Sequence, residues 1–410
     1  MRIRTLKGKR VGITILAIGL AALLLVTACV PRPIEEEETV VEIGYVMHLT
    51  GAAASSTQIQ MQGILDYFRY FNEKESIPGV SIELLWADGM YRLELFLSHY
   101  ERFVERGMPL IMTDDPTALM GLTRRFEEDN VIAFMSGAGY EEVIYPSGDW
   151  RYTCSPSLAE QFSAVAEYFI ENWQEASPPR LVMMCMPVPF GENPKEEGGK
   201  YAQSLGFELL PPETVGYIVL DATTQLLRLK ESGADLVFVQ ALPAASGPIL
   251  RDAERLGLLD KMHFAGHPSS MGARVIEMTG VVSEGYVVAR YYPWFDETEI
   301  PGIKLMLDNQ MKYHGKEMRD AEYFTGWVPA AIICEAIRRA VENVGYENVD
   351  GAAIKESLDG MKDFDVYGLA TVTYKPDDHR GVTKLAVYEV RDGKIVRVTD
   401  WREAPMLLPE

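Results

Sequence analysis

Cysteine is scarce: the chain has 4 in 410 residues. So few cannot build a disulfide framework, and no C-x-x-C pair or His/Cys zinc spacing occurs. The histidines, His48, His99, His263, His267, His314 and His379, are scattered. Basic charge is also short, 39 Lys and Arg against 60 Asp and Glu, which leaves a formal charge of −21. An acidic surface repels phosphate backbones and anionic headgroups, which argues against nucleic acid as a partner and against adhesion to lipid by surface charge. The GxGxxG fingerprint, the HExxH pair, the GxSxG elbow and the EF-hand loop are all missing. Gly199-Lys200 is followed by Tyr201 and lacks the first glycine of a phosphate loop. No cofactor, no metal and no enzymatic role are therefore expected, although a site assembled only in three dimensions stays open. A hydrolase built on Ser269 and His267 would need a nucleophile elbow, which nothing here supplies.

What is present reads as a folded, extracytoplasmic protein. Hydrophobic residues make up 47% and charged residues 24% of the chain, a globular composition. The length allows two or three domains of about 150 residues each. Residues 1–28 stand apart. Arg2, Arg4, Lys7, Lys9 and Arg10 form a basic stretch, Val11 to Val26 is an almost unbroken apolar run, and Val26-Thr27-Ala28-Cys29 follows. That order reads as a signal peptide, and the small residues before a cysteine resemble the lipobox of bacterial lipoproteins. An uncleaved anchor is the competing reading, but the run falls short of the ~20 residues a span needs. The expectation is a signal peptide over 1–28, a lipid on Cys29 and an acidic tether over 29–39. The fold would then sit outside the cytoplasm, held to the cell membrane by acyl chains, on the periplasmic side if an outer membrane is present.

From residue 40, short β-branched runs alternate with amphipathic helices. Strands are expected at 40–47, 80–86, 109–112 and 131–135, with helices at 58–74, 92–106 and 117–129. After Ser155-Pro156 the pattern restarts, with helices at 157–173, 195–205, 223–231 and 247–256 and strands at 180–186, 235–240, 262–266 and 286–290. The alternation implies right-handed βαβ units, hence an α/β fold of two doubly wound parallel sheets with helices on both faces. A long helix at 324–344 precedes alternating strands at 369–374, 384–390 and 395–400, with Asp392-Gly393 as a hairpin turn. The tail is therefore antiparallel.

Open α/β sheets bind ligands at the carboxyl ends of their strands. Asp114-Asp115 follows the third strand and reads as a ligand contact, an acidic helix cap, or both. Ser136-Gly137-Ala138-Gly139 follows the fourth, where small residues would let a ligand reach backbone N–H groups or would simply make a turn. His267-Pro268-Ser269-Ser270 is a pocket edge or an exposed loop. Cys154, Cys185 and Cys334 read as buried thiols, with a Cys154–Cys185 disulfide conceivable.

One set of segments, weak singly, occurs in a telling order. Val41-Glu42-Ile43-Gly44-Tyr45-Val46 leads to Leu49-Thr50-Gly51 and then Gly63; Tyr152-Thr153-Cys154-Ser155-Pro156-Ser157 and Phe190-Gly191 follow. Then come Ile249-Leu250-Arg251-Asp252-Ala253 with Leu256-Gly257-Leu258, Gly285-Tyr286, Tyr323 through Trp327, Glu335-Ala336, and Asp377-Asp378-His379-Arg380-Gly381. The series resembles the type I periplasmic substrate-binding proteins, and more narrowly the branched-chain amino acid (Leu/Ile/Val) receptors of ABC transporters, over residues 40–402. The resemblance implies two doubly wound lobes, 40–155 plus 291–365 and 156–290 plus 366–410, joined by three crossovers around a ligand cleft. It implies a small-molecule ligand and, as partners, the permease subunits of an ABC importer. A monomer is expected. The same fold can also serve as a sensory module for a membrane signalling partner.

Amino acid binders of this family hold the ligand carboxylate with a Ser/Thr pair and backbone amides, and the ammonium with an acidic residue of the second lobe. Here Pro116 stands where a serine is common and Gly139 where a threonine is usual. His267-Pro268 occupies the acidic position, Leu242-Pro243 replaces a nearby tyrosine, and Ser56 stands where an aromatic often flanks the ligand. A zwitterion would then bury unpaired charge, which is costly. The expected ligand is another small molecule, amino acid-like, an amide or an aromatic metabolite. Phe190 would stack on it, Thr117 and the amides of Gly137, Ala138 and Gly139 would hydrogen-bond it, and Asp115 or His267 would give specificity. Ser56, Gln240 and Tyr323 complete the expected site. For Phe190, Gln240, His267 and Tyr323, ordinary packing is the alternative.

Overall fold

Every residue of strands Leu110–Thr113 and Ile132–Met135 is buried, as parallel strands covered on both faces require. The computed structural model describes residues 39–51, 54–137, 139–145 and 149–408. The expected signal peptide, Cys29 and the tether up to residue 38 lie outside the described residues, and so does Ala138. The first sheet has the order β2-β1-β3-β4-β5, with β1 Thr39–Met47, β2 Val80–Asp88, β3 Leu110–Thr113, β4 Ile132–Met135 and β5 Arg151–Thr153. The β1–β3, β3–β4 and β4–β5 pairs are parallel.

The second sheet is parallel through β6 Arg180–Cys185, β7 Glu208–Leu209, β8 Glu213–Thr214, β9 Leu236–Gln240, β10 His263–Gly266 and β11 Val287–Arg290. β12 Phe364–Asp365 and β13 Thr371–Val372 form a separate antiparallel ribbon. β14 Lys384–Arg391 then joins β11 antiparallel, β15 Lys394–Arg397 joins β14, and β16 Arg402–Glu403 pairs with β14. Asp392 and Gly393 take φ values of 52° and 69° to close the β14–β15 hairpin.

Some expected elements are corrected. The helix expected over 117–129 is two helices, Pro116–Gly121 and Thr123–Glu128. Thr123 Oγ1 donates to the carbonyls of Leu119 and Met120, a local bond that competes with helix continuation. The strand expected over 369–374 shrinks to β13. Helices Pro301–His314 and Gly351–Asp359 were not foreseen. Cys154, Cys185 and Cys334 are free and buried, so the conceivable Cys154–Cys185 disulfide is not formed.

The chain passes between the sheets three times: after β5, after β11 and before β14. The passages are laced together. Tyr292 OH donates to the Cys154 carbonyl at 2.9 Å, Tyr374 OH to the Thr153 carbonyl at 2.8 Å, and Thr153 N–H to the His379 carbonyl at 3.0 Å.

Helix Ala321–Val344, which follows the second passage, packs back against helix Ala54–Glu73 with backbones nearly touching. A Cβ on Gly63 would lie 2.4 Å from the Tyr323 carbonyl oxygen, and one on Gly326 would lie 1.9 Å from that of Gln60. Only glycine fits at these two points. Gly326→Ala must separate the helices, and overpacking of this kind costs about 1–3 kcal/mol or more. A chemical denaturation curve should show that loss, and an unchanged midpoint would mean that the helices are free to part.

Candidate binding cleft

The strands of both sheets deliver their carboxyl ends to one cavity of about 410 Å³, within the range of small-molecule pockets. His48, Asp114, Ser136, Met186, His267 and Tyr291 are each the first residue beyond a strand, and all line it. Helix Ala321–Val344 adds Glu322 and Thr325, one turn apart on one face. Tyr91, Tyr140, Phe190, Tyr217 and Tyr291 supply aromatic wall from both sides.

Phe190 reaches the cavity because the turn Pro189–Glu192 folds tightly on the end of β6. A Cβ on Gly191 would lie 2.0 Å from the Met186 carbonyl oxygen, so only glycine lets the turn sit so close. Phe190 meets His267 edge to face, with ring centroids 4.9 Å apart. The sequence matches the periplasmic binding protein family over residues 40–394. The chain belongs to that family.

Solved structures share the fold of this periplasmic binding protein. A branched-chain amino acid ABC transporter protein from Thermus thermophilus, solved with bound valine, is 26% identical, with TM-score 0.83, covering 89% of this chain and 97% of that one. A fatty acid ABC transporter substrate-binding protein from Thermomonospora curvata is 16% identical, with TM-score 0.77, covering 90% and 95%. A solute-binding protein from Rhodopseudomonas palustris BisB5, in complex with 3,4-dihydroxybenzoic acid, is 16% identical, with TM-score 0.73, covering 90% and 98%. No curated protein matches the sequence.

Among the expected site residues of this binding protein, Ser56, Asp115, Thr117, Gly137, Phe190 and His267 line the cavity. Three do not. Gln240 is fully buried behind it, where its Nε2 donates to the Phe190 carbonyl at 2.9 Å and so steadies the stacking turn. Tyr323 is fully buried between helices, donating its hydroxyl to Asp66 at 2.7 Å. It sits about 100° round the helix from Glu322, which faces the cavity instead. Gly139 turns toward Ile144 and the first passage, pairing with Ser157. The amide of Thr117 is also spent: Asp115 caps its helix by accepting from Thr117 N–H at 2.9 Å and Ala118 N–H at 3.3 Å.

The cavity's charge is one-sided. Asp114, Asp115 and Glu322 line it, and none of the described lining residues is a lysine or arginine. His48 does not compensate. Its Nδ1 accepts from Tyr91 N–H at 2.9 Å, so the neutral ring carries its proton on Nε2. That atom lies 3.6 Å from Asp115 and 3.9 Å from Asp114, beyond hydrogen-bond reach. Burial holds the His48 pKa below its usual value, against the pull of Asp115 and Asp88. His267 is neutral too, pushed down to about 3 by burial and then by nearby Arg290. Its Nδ1 accepts from Ser269 N–H at 3.1 Å, and its Nε2 has no partner. Burial raises the Glu322 carboxyl and Asp320 adds to the shift, against the pull of Ser269, Thr325 and Arg290.

Burial, and after it Asp115, pushes the Asp114 carboxyl up to about 7. Glu322 and Asp88 also raise it, and His48, Tyr45, Tyr91 and Tyr140 are the other titratable groups that interact with it. A carboxyl raised by folding favours the folded state below its unfolded pKa of about 4 and loses that contribution as pH climbs through its folded value. The melting temperature of the ligand-free protein should thus gain less from acidification between pH 8 and pH 5 in Asp114→Asn than in the parent. Parallel profiles would show that Asp114 ionises normally.

Proposed function

We propose that this periplasmic binding protein is the solute receptor of an ABC importer. It is exported by the segment 1–28, anchored through a lipid on Cys29 and tethered by 29–39. As a monomer outside the cytoplasm it captures a small molecule between lobes 40–155 plus 291–365 and 156–290 plus 366–410. Hinge closure at the three passages buries the solute and offers a closed shape to the permease subunits. The solute can drive closure only as far as it binds the closed form better than the open one.

One observation carries this reading: a single cavity of about 410 Å³ is walled from both sheets by the first residues beyond their strands. A cavity walled by both lobes changes shape when they rotate, and that is what a clamp needs. Of the neighbours named above, one was solved with valine, one belongs to a fatty acid ABC transporter and one was solved with 3,4-dihydroxybenzoic acid. In this reading, scaffold and hinge are common property, and the lining selects the guest.

Mass spectrometry of small molecules freed by mild denaturation of the purified protein should find one compound, and rebinding should return it unaltered. Its chemical conversion would contradict the receptor reading. Phe190→Ala should weaken rebinding at least tenfold, on the order of the ~1.5 kcal/mol of an aromatic contact. Unchanged affinity would remove Phe190 from the site.

A further inference from the structure

We propose that the guest is a small organic cation, an ammonium group on an apolar or aromatic body, without a carboxylate of its own. The inference rests on the receptor reading above and names the ligand class of the same cleft. Asp114, Asp115 and Glu322 converge on the cavity with no lysine or arginine among its described lining residues. Asp114 Oδ1 is buried without a hydrogen-bond partner. His48, whose side chain is only 3% exposed, presents an unpartnered Nε2 in the same corner and brings no charge.

A buried carboxylate without a counter-charge is expensive, and an arriving ammonium would remove that cost. The surrounding aromatic rings add attraction, because their faces favour cations. An anionic or zwitterionic guest finds the opposite. The two amides at the start of helix Pro116–Gly121 that could have met a carboxylate are already bonded to Asp115. Arg290 is buried and stacks on Trp294 with its guanidinium carbon 4.5 Å from the ring centroid; it is not among the main cavity's lining residues but lines a small adjoining recess that shares His267, Tyr291 and Glu322 with it. A carboxylate placed beside Asp114 and Asp115 would therefore face like charge.

The test is a thermal-shift series with phenethylamine, choline and agmatine against valine and 3-phenylpropionate, the last matching phenethylamine in shape but opposite in charge. At least one cation should raise the melting temperature, and the two carboxylates should not. Binding of that cation should fall at least tenfold in Asp114→Asn and in Glu322→Gln, both of which remove an acidic group of the cavity wall while keeping shape. Stabilisation by valine or 3-phenylpropionate without any by the cations would overturn the charge class and leave the receptor reading standing. If no probe acts, the compound released from the purified protein decides. A cation at pH 7 supports the proposal, whereas a zwitterion or anion overturns it. No shift and no released compound would count against the receptor reading itself and, with it, this inference.

Discussion

A carboxylate held away from water must find a proton, a donor or an opposite charge. Around Asp114 the fold supplies none of the three in full. His48 is locked neutral by the Tyr91 amide at its Nδ1, and its other nitrogen stops 3.9 Å short of Asp114. Asp115 stands alongside and spends one oxygen on its own helix. The result is a corner in which one Asp114 oxygen has no hydrogen-bond partner and no cation stands among the described lining residues. His48, Asp114 and Asp115 all follow strands of the first sheet, and Phe190 and His267 of the second sheet line the same cavity.

The rest of the architecture keeps that corner in place. The glycine crossing of helices Ala54–Glu73 and Ala321–Val344 fixes Gln60, Glu322 and Thr325 on the first sheet's side of the cavity. The second sheet brings Phe190 and His267, braced by Gln240 and by the turn at Ser269 and Ser270. Between them run the passages tied by Tyr292, Tyr374 and His379. These bonds join the passages to one another.

Much of this was legible in the sequence. Period-two and period-3.6 patterns place most strands and long helices within a few residues, and the Asp392-Gly393 turn marks its hairpin. Helix Pro301–His314 was missed although Pro301 at its first turn and Gly315 in the left-handed region past its end are ordinary stop and start signals. In the cleft, the strand-end rule locates Asp114-Asp115, Gly137 and His267, and applied to every strand it would also have found His48 and Tyr291. It could not separate Tyr323 from Glu322, since a one-residue step round a helix decides which of the two faces the cavity. Nor could it tell that Gln240 would turn inward to hold a backbone carbonyl. These choices belong to tertiary packing. The absence of lysine and arginine from the described lining, in turn, is a property of the assembled cavity and is invisible in a chain that holds 39 basic residues elsewhere.

Proton counting tests the central claim most directly. Calorimetric titration of the guest at pH 6.5, in buffers of different ionisation enthalpy, reads how many protons leave or enter on binding. With the Asp114 carboxyl near 7 in the empty cleft, arrival of a positive charge must lower it and release protons to the buffer. Net release is the result expected; proton uptake, or no exchange at all, would contradict an acidic corner completed by its guest.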